Sequence, residues 1–343
     1  MAKRRQDPVE ANAGSSVDLY EITDWEPRSL LDRILHWLYH ATLWTVRSLV
    51  VVVAVAILVI QFAFGSLGAI GNQPVFAGMA ALSAVPALLL AAYVWYADVT
   101  TSEPLTLLVG TFFLGVLFAG FAGLLNVFLG GPVQAIGSGF GLVPYVGQVV
   151  MFFVVVGPVE ESVKLLAVRL YAFRDDRFDA VIDGAVYGAA AGLGFATIEN
   201  ALYITQNTDM VAGSLQAFSE SGDVAAVRAL AGPGHVIYSA FAGYYLGLAK
   251  FNPENAGPIV MKGLFIAALI HGTYNSLVGP VSGILSAVYN VDPFVAFFGF
   301  VIVFDGVFGL LLLRKLDAYR QAYARAHATD EVGPPAERTE FDP

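Results

Sequence analysis

Two adjacent carboxylates, Glu160 and Glu161, stand inside an apolar run over residues 147–170, and Lys164 follows one helical turn later. An ionised carboxylate is costly in hydrocarbon, so a membrane segment that keeps two side by side indicates a function. On a helix, Lys164 lies three and four residues from the two glutamates and can contact both. A buried ion pair that only sets helix register is the structural alternative, but it would need only one of the carboxylates.

Five more ionisable residues stand in the apolar segments: Asp183, Glu199, His235, His271 and Asp305. Glu160 and His271 each lie nine residues from a basic residue at the inner end of their segment. Helical rise therefore places both roughly 13 Å deep, so that they are level and can meet. The same measure puts Asp305 at that level, His235 about 8 Å farther outward and Glu199 near the outer boundary. For Asp305 a structural role is favoured, as a partner of Lys164 or of a backbone group.

Both histidines and Glu199 continue stripes of small residues at helical spacing. The stripes are His235, Ser239, Gly243 and Gly247; Gly263, Ala267, His271 and Asn275; and Gly184, Gly188, Gly192, Ala196 and Glu199. Small residues at this spacing let membrane helices approach closely, so a polar residue on the stripe faces a neighbouring helix. Packing alone explains the glycines. The histidines, with two carboxylates available, are predicted to be functional.

These residue types suggest hydrolysis by an activated water. Two carboxylates in a dry site cannot both ionise easily, so one stays charged beside Lys164 and acts as general base, while the other is protonated. His271 can donate to the developing oxyanion or protonate the leaving amine. The chain has no cysteine, which excludes a thiolate nucleophile and Cys-ligated metal. No serine–base pair is evident either.

The composition places this chemistry in a membrane. Of 343 residues 57% are hydrophobic and only 13% charged, which leaves too little polar surface for a soluble protein. Several stretches are long enough to cross a bilayer, and the predicted fold is an all-α polytopic helix bundle. The lipid bilayer should therefore be one of its partners. The net charge of −10 comes without a basic face and argues against nucleic acid.

Eight spans are predicted, at residues 43–64, 75–96, 105–129, 145–172, 180–204, 230–248, 259–278 and 293–313. Basic residues collect on the side of the N-terminus, and the outward loops hold only Arg228. This asymmetry predicts a multi-pass protein of the cell membrane with both termini in the cytoplasm. Residues 28–44 have the apolar spacing of an amphipathic interfacial helix. Both polar tails are expected to be disordered.

Four ordered blocks over residues 160–275 resemble the PrsW family of intramembrane proteases, part of the larger group with CAAX prenyl endopeptidases and bacteriocin-processing enzymes. The blocks are Glu160-Glu161-Ser-Val-Lys164, the glycine-rich stretch from Asp183 to Glu199-Asn200, His235 with Gly243-Tyr-Tyr-Leu-Gly247, and His271-Gly272-Thr-Tyr-Asn275. The resemblance leaves the first three spans, the last span and the tails uncovered.

The resemblance implies a glutamate-dependent endopeptidase that cleaves membrane-anchored proteins in regulated proteolysis. The residues it implies as catalytic are Glu160, Glu161, His271 and His235, supported by Lys164, Glu199, Asn200, Asn275 and Asp183. The chain then divides into an N-terminal cytoplasmic tail (1–42), N-terminal spans (43–142), a PrsW-like catalytic core (143–280), a last span (281–316) and an acidic cytoplasmic tail (317–343).

Two alternatives use the same residues. A proton- or cation-coupled transporter would use the buried carboxylates as an ion pathway, although no internal repeat of the kind common in transporters is visible. A metalloprotease would bind a divalent metal such as zinc through the histidines and a glutamate. It ranks below a cofactor-free site, because there is no His-Glu-x-x-His and His235 is predicted too far outward. A non-catalytic scaffold would tolerate Glu160→Gln.

Overall fold

The computed structural model describes residues 7–14, 16–42, 74–100, 103–139, 144–207 and 215–331, and within them every extended regular element is a helix. The helices are α1 (Pro8–Asn12), α2 (Leu30–Thr42), α3 (Pro74–Ser83), α4 (Val85–Tyr96), α5 (Leu105–Gly139), α6 (Pro144–Met151), α7 (Gly157–Leu170), α8 (Val181–Gln206), α9 (Leu215–Phe251), α10 (Ala256–Tyr289) and α11 (Pro293–Glu331). A π-helical turn, Phe152–Val156, joins α6 to α7.

The all-α membrane bundle predicted from composition is confirmed. Within the described ranges, four stretches are long and apolar enough to cross a bilayer: Leu105–Val133, Val181–Gln206, Ala256–Tyr289 and Pro293–His327. The predicted first span, residues 43–64, lies outside the described residues. The total of eight spans therefore stays a prediction.

The predicted second span is two helices. Helices α3 and α4 meet at Ala84, two residues before Pro86. Proline has no N–H to donate to the carbonyl one turn earlier, so a continuous helix is interrupted there.

The predicted fourth span is also interrupted, and the interruption adjoins the two glutamates. The π-helical turn ends at Val156, immediately before Gly157 and Pro158. Pro158 has no N–H to donate to a carbonyl one turn earlier, and the wider π-helical turn accommodates this missing hydrogen bond. Gly157 also lets α10 come close, because a Cβ there would stand 2.7 Å from the carbonyl oxygen of Ala268. The chain thus presents the glutamates directly to α10.

Helix α8 is the centre of the bundle, and residues 181–196 are all buried. Its glycine stripe lies in backbone contact with α9: a Cβ on Gly188 would stand 2.2 Å from the carbonyl oxygen of Ser239. Gly184 and Gly192 meet α9 in the same way, at the carbonyls of Gly243 and His235. The small-residue stripes therefore pack helix against helix, as predicted, and they set where His235 stands.

The expectation of disordered tails is wrong for the parts that the structure describes. Asp7 and Trp25 are buried in the N-terminal segment, and the Asp7 carboxylate accepts hydrogen bonds from the Val181 N–H and the Tyr319 hydroxyl. At the other end, α11 continues to Glu331 with Tyr319 fully buried. Buried side chains and hydrogen bonds to α8 and α11 therefore dock the described parts of these segments.

We predict that Gly188→Ala destabilises the protein by about 1–3 kcal/mol, since the added methyl meets a backbone carbonyl that cannot rotate away. Thermal unfolding in detergent measures this change. The matched control is Gly299→Ala on α11, where a Cβ meets nothing within 4 Å. There the free energy of unfolding should rise by up to ~1 kcal/mol, because alanine is more favourable than glycine inside a helix. Equal effects at both positions would contradict the close α8–α9 contact.

Candidate active site

The two predicted glutamates, Lys164 and both histidines meet in one buried cluster. Glu160, Glu161 and Lys164 come from α7, His235 from α9 and His271 from α10. Each is at most 5% exposed. Polar groups buried to this degree require partners for their charges and hydrogen bonds, so their contacts define the chemistry of the site.

Lys164 holds the centre of the cluster. Its Nζ lies 2.7 Å from Glu161 Oε1 and 2.8 Å from His235 Nδ1. The ammonium also stands over the ring of Phe195, 4.2 Å from the centroid, a cation–π contact that is favourable when desolvated. The charge of Glu161 is therefore matched directly, and His235 Nδ1 acts as an acceptor.

Glu161 also orients His271. Oε1 of Glu161 lies 2.9 Å from His271 Nδ1, and the imidazole ring stacks on Tyr238 with ring centroids 5.1 Å apart. Because the ionised carboxylate can only accept, the proton of the imidazole is assigned to Nδ1. The other nitrogen, Nε2, then faces Glu160 Oε2 at 3.8 Å.

The two adjacent carboxylates have different surroundings. Glu161 Oε2 is approached by Ser239 Oγ at 3.4 Å, so both of its oxygens have neighbours. Glu160 Oε1 accepts a hydrogen bond of 3.1 Å from Asn126 Nδ2, whereas its buried Oε2 has no hydrogen-bond partner in the described part of the chain. Glu160 is thus the carboxylate with an oxygen free to act on another molecule.

That oxygen belongs to a residue lining a cavity of about 480 Å³. The lining includes Glu160, Glu199, Arg228, His235, His271 and Asn275, with Tyr203, Tyr238, Tyr274 and Phe297 among the apolar and aromatic walls. A cavity of this size, mostly apolar with a few convergent polar groups, suits a ligand site.

The predicted depth of His235 is wrong. Its ring centroid lies 5.2 Å from that of His271, and it contacts Lys164 directly. The prediction counted residues along each helix and ignored the reach of side chains between helices. The long Lys164 side chain spans the gap between α7 and His235 on α9.

Glu199 likewise reaches the cluster. Its Oε2 lies 2.8 Å from His235 Nε2 and 2.6 Å from Arg228 Nη2. The Arg228 guanidinium stands over the Tyr203 ring. Glu199 therefore links the histidine to a cation at the far end of the cavity.

The other predicted residues have diverse positions. Asn275 lines the cavity, whereas Asn200 donates to Ser83 and accepts from Arg228 Nε. Asp183 lies at the beginning of α8, where it accepts backbone N–H groups. Asp305 does not pair with Lys164, and neither of its carboxylate oxygens has a hydrogen-bond partner among the described residues.

Asn126 and Tyr238 belong to the site and were missed by sequence reasoning. Asn126 is the single asparagine of the apolar helix α5, and an isolated amide in a membrane segment is itself a signal of a buried partner. Tyr238 follows His235 by three residues and so shares its helix face.

A divalent metal fits this arrangement poorly. Glu160, His235 and His271 each offer a ligand atom, and these atoms all lie within 4.8 Å of one another. Both nitrogens of His235 are nevertheless engaged, by Lys164 and Glu199. The Lys164 ammonium also stands 4.0 Å from Glu160 Oε2, so a positive charge already occupies the neighbourhood that a metal ion would share.

The fold and the site together define a polytopic membrane protein with a buried polar cluster facing a cavity. A sequence model described as "PrsW family intramembrane metalloprotease" matches residues 103–307. The chain therefore belongs to the PrsW family of intramembrane proteases. The membrane location and the class of peptidase follow from this membership.

Curated relatives agree with the family match. Protease PrsW of Bacillus subtilis (strain 168) is 29% identical over 214 residues, covering 62% of this chain and 86% of the relative. Protease PrsW of Geobacillus kaustophilus is 29% identical over 193 residues, 56% of this chain and 76% of the relative. That of Clostridioides difficile is 33% identical over 132 residues, 36% and 49% of the two chains. No solved structure gives a significant match.

We predict that Lys164→Met destabilises the protein by roughly 3–5 kcal/mol, because it leaves the Glu161 carboxylate buried and uncompensated. The double variant Lys164→Met/Glu161→Gln should recover part of this loss. Thermal unfolding in detergent would measure both. As a control, Arg177→Met removes an exposed ion pair with Asp175 and should leave the unfolding temperature nearly unchanged. If the double variant is no more stable than Lys164→Met, the two residues are not a coupled pair.

Proposed function

We propose that this protein is a metal-independent intramembrane endopeptidase that cleaves membrane-anchored protein substrates, with Glu160 as the general base. The observation that carries this proposal is the free Glu160 Oε2, which faces His271 Nε2 at 3.8 Å. That separation is too long for a direct hydrogen bond. A water molecule can contact the carboxylate oxygen and the imidazole nitrogen together.

In this mechanism Glu160 takes a proton from the water as the water oxygen attacks the scissile carbonyl carbon. When the C–N bond breaks, the proton must reach the leaving nitrogen. His271 Nε2 carries no proton at the outset, because its Nδ1–H is held by Glu161, so it can take the proton from Glu160 through a bridging water and pass it to the leaving nitrogen. General acid–base catalysis of this kind contributes about 10²–10⁴-fold to a rate.

Glu161 has a positioning role in the same proposal. Its Oε1 accepts from both Lys164 and His271, so the carboxylate is stabilised as an anion and is a poor base. This assignment reverses the expectation from the sequence, in which the carboxylate charged beside Lys164 is the base and its neighbour is protonated. Here Glu160 acts as the base in the state in which it, too, is ionised. Glu161 fixes the orientation of the imidazole that receives the proton. His235 and Glu199 extend this network to Arg228, and we propose that they support the site rather than react.

The proposal includes the predicted orientation, with both termini in the cytoplasm and Arg228 on the outer side. The cavity then extends from the catalytic groups toward the outer half of the membrane. A substrate segment would enter there with its scissile bond already inside the hydrophobic region. Family membership favours peptide hydrolysis over the alternative of ion-coupled transport.

We predict that Glu160→Gln lowers cleavage on the order of 10²-fold or more, because glutamine retains the shape but cannot take a proton. His271→Ala should have a similar effect, whereas Asp305→Asn, another buried membrane carboxylate, should retain activity. The assay compares shed ectodomains by quantitative proteomics in cells that express each variant at equal level. Purified Glu160→Gln protein that cleaves an identified substrate at the full rate would exclude the proposed base.

We also predict that chelators of transition metals leave the activity intact, because Lys164 supplies the positive charge of the site. Purified protein should contain much less than one equivalent of transition metal by mass spectrometry and keep its activity after treatment with 1,10-phenanthroline. The proposal would be contradicted if the chelator abolished activity and added zinc restored it. An analogue that does not chelate metal serves as the control and should have no effect.

A further inference from the structure

A second group of carboxylates, separate from the active site, comes together at the beginning of α8. Asp98 follows α4, Glu103 precedes α5 and Asp183 lies in the first turn of α8. One carboxylate oxygen of each lies within 4.8 Å of those of the other two. Asp183 stands twelve residues before Phe195, the ring that packs on Lys164. Along the helix this is roughly 18 Å from the active-site cluster.

In Asp98 and Glu103, one oxygen is held by a neutral donor and the other is free. Asp98 Oδ1 accepts from the Thr100 N–H at 2.9 Å and from Thr100 Oγ1 at 2.7 Å. Glu103 Oε2 accepts from the Tyr187 hydroxyl. The second oxygens, Asp98 Oδ2 and Glu103 Oε1, are buried without a hydrogen-bond partner in the described ranges. Glu103 itself is only 3% exposed.

Asp183 repeats this arrangement. Its Oδ2 accepts from the backbone N–H groups of Asp179 and Ala180, at 2.7 and 2.8 Å. Its Oδ1 has a longer contact with Thr100 Oγ1, at 3.5 Å. Neutral donors thus orient all three carboxylates, and Asp98 Oδ2 and Glu103 Oε1 are left without a hydrogen-bond partner among the described residues. Such outer donors commonly orient the ligands of metal sites.

The negative charge of this group has no matching positive charge. Among the described residues, no lysine or arginine forms an ion pair with Asp98, Glu103 or Asp183. The fold therefore places three carboxylates together where ionisation is unfavourable unless a cation is bound.

We propose that Asp98, Glu103 and Asp183 bind a hard divalent cation, Ca²⁺ or Mg²⁺, at a structural site independent of the proteolytic one. The donors are all oxygens, which hard cations prefer, and nitrogen or sulfur ligands that would favour a transition metal are not part of the group. The bound ion would tie the end of α4 and the beginning of α5 to the first turn of α8, the central helix of the bundle.

Terbium luminescence on the purified full-length chain tests this proposal. Tb³⁺ replaces Ca²⁺ at oxygen sites and is sensitised by a nearby phenol, which Tyr187 provides at the Glu103 carboxylate. We expect a saturable signal that Ca²⁺ or Mg²⁺ displaces, and the more effective competitor identifies the ion. Glu103→Gln and Asp98→Asn should weaken binding about 10–100-fold, the usual effect of disturbing a metal site.

Two control variants locate the signal. Asp317→Asn alters an exposed carboxylate and Glu160→Gln alters the active site, and both should bind Tb³⁺ as the unmodified chain does. An undiminished signal in Glu103→Gln would show that Tb³⁺ binds elsewhere and would overturn the proposal.

A thermal measurement on the unmodified chain tests the same proposal without any variant, so it does not require that a substituted protein folds. Millimolar Ca²⁺ or Mg²⁺ should raise the unfolding temperature relative to EDTA, because an ion that binds the folded state stabilises it. The competing explanation is a proton shared between Glu103 and Asp183. It predicts no response to either ion and a stability that falls as the pH rises and the shared proton is lost. That result, without a displaceable Tb³⁺ signal, would exclude the cation site.

Discussion

The buried contact between Lys164 Nζ and Glu161 Oε1, 2.7 Å long, is the interaction on which the active site depends. Neither charge could remain in a dry helix bundle alone, because desolvation would neutralise it or expel it. Paired, they keep an anion beside His271 and a cation beside His235. The direction of each imidazole, and so the nitrogen that each presents, follows from this one pair.

The helix packing makes that pair possible. Glycines on α8 let α9 approach to backbone contact, and Gly157 does the same between α7 and α10. In a membrane such contacts supply association energy that the hydrophobic effect cannot, since lipid is as apolar as the side chains. The residues of the polar cluster are at most 5% exposed, and burial of this degree strengthens their electrostatic interactions.

The packing also gives the two neighbouring carboxylates different surroundings. Glu160 and Glu161 are chemically identical and adjacent, yet a lysine, an imidazole and a serine surround one, while an asparagine holds only one oxygen of the other. In the proposed mechanism, environment and not residue type separates an orienting group from a base. The asymmetry arises because helical geometry turns adjacent side chains toward different neighbours.

Sequence alone determined the membrane class, most helix positions and the Glu160–Glu161–Lys164 contact, because hydropathy and spacing within one helix are local properties. It placed His235 wrongly, and it missed Asn126, the docked N-terminal segment and the meeting of Asp98, Glu103 and Asp183. Those depend on tilt, on where each helix begins and on side-chain reach across gaps between helices. Spacing along one helix carries no information about such distances, so only the tertiary structure decided which polar groups share a site.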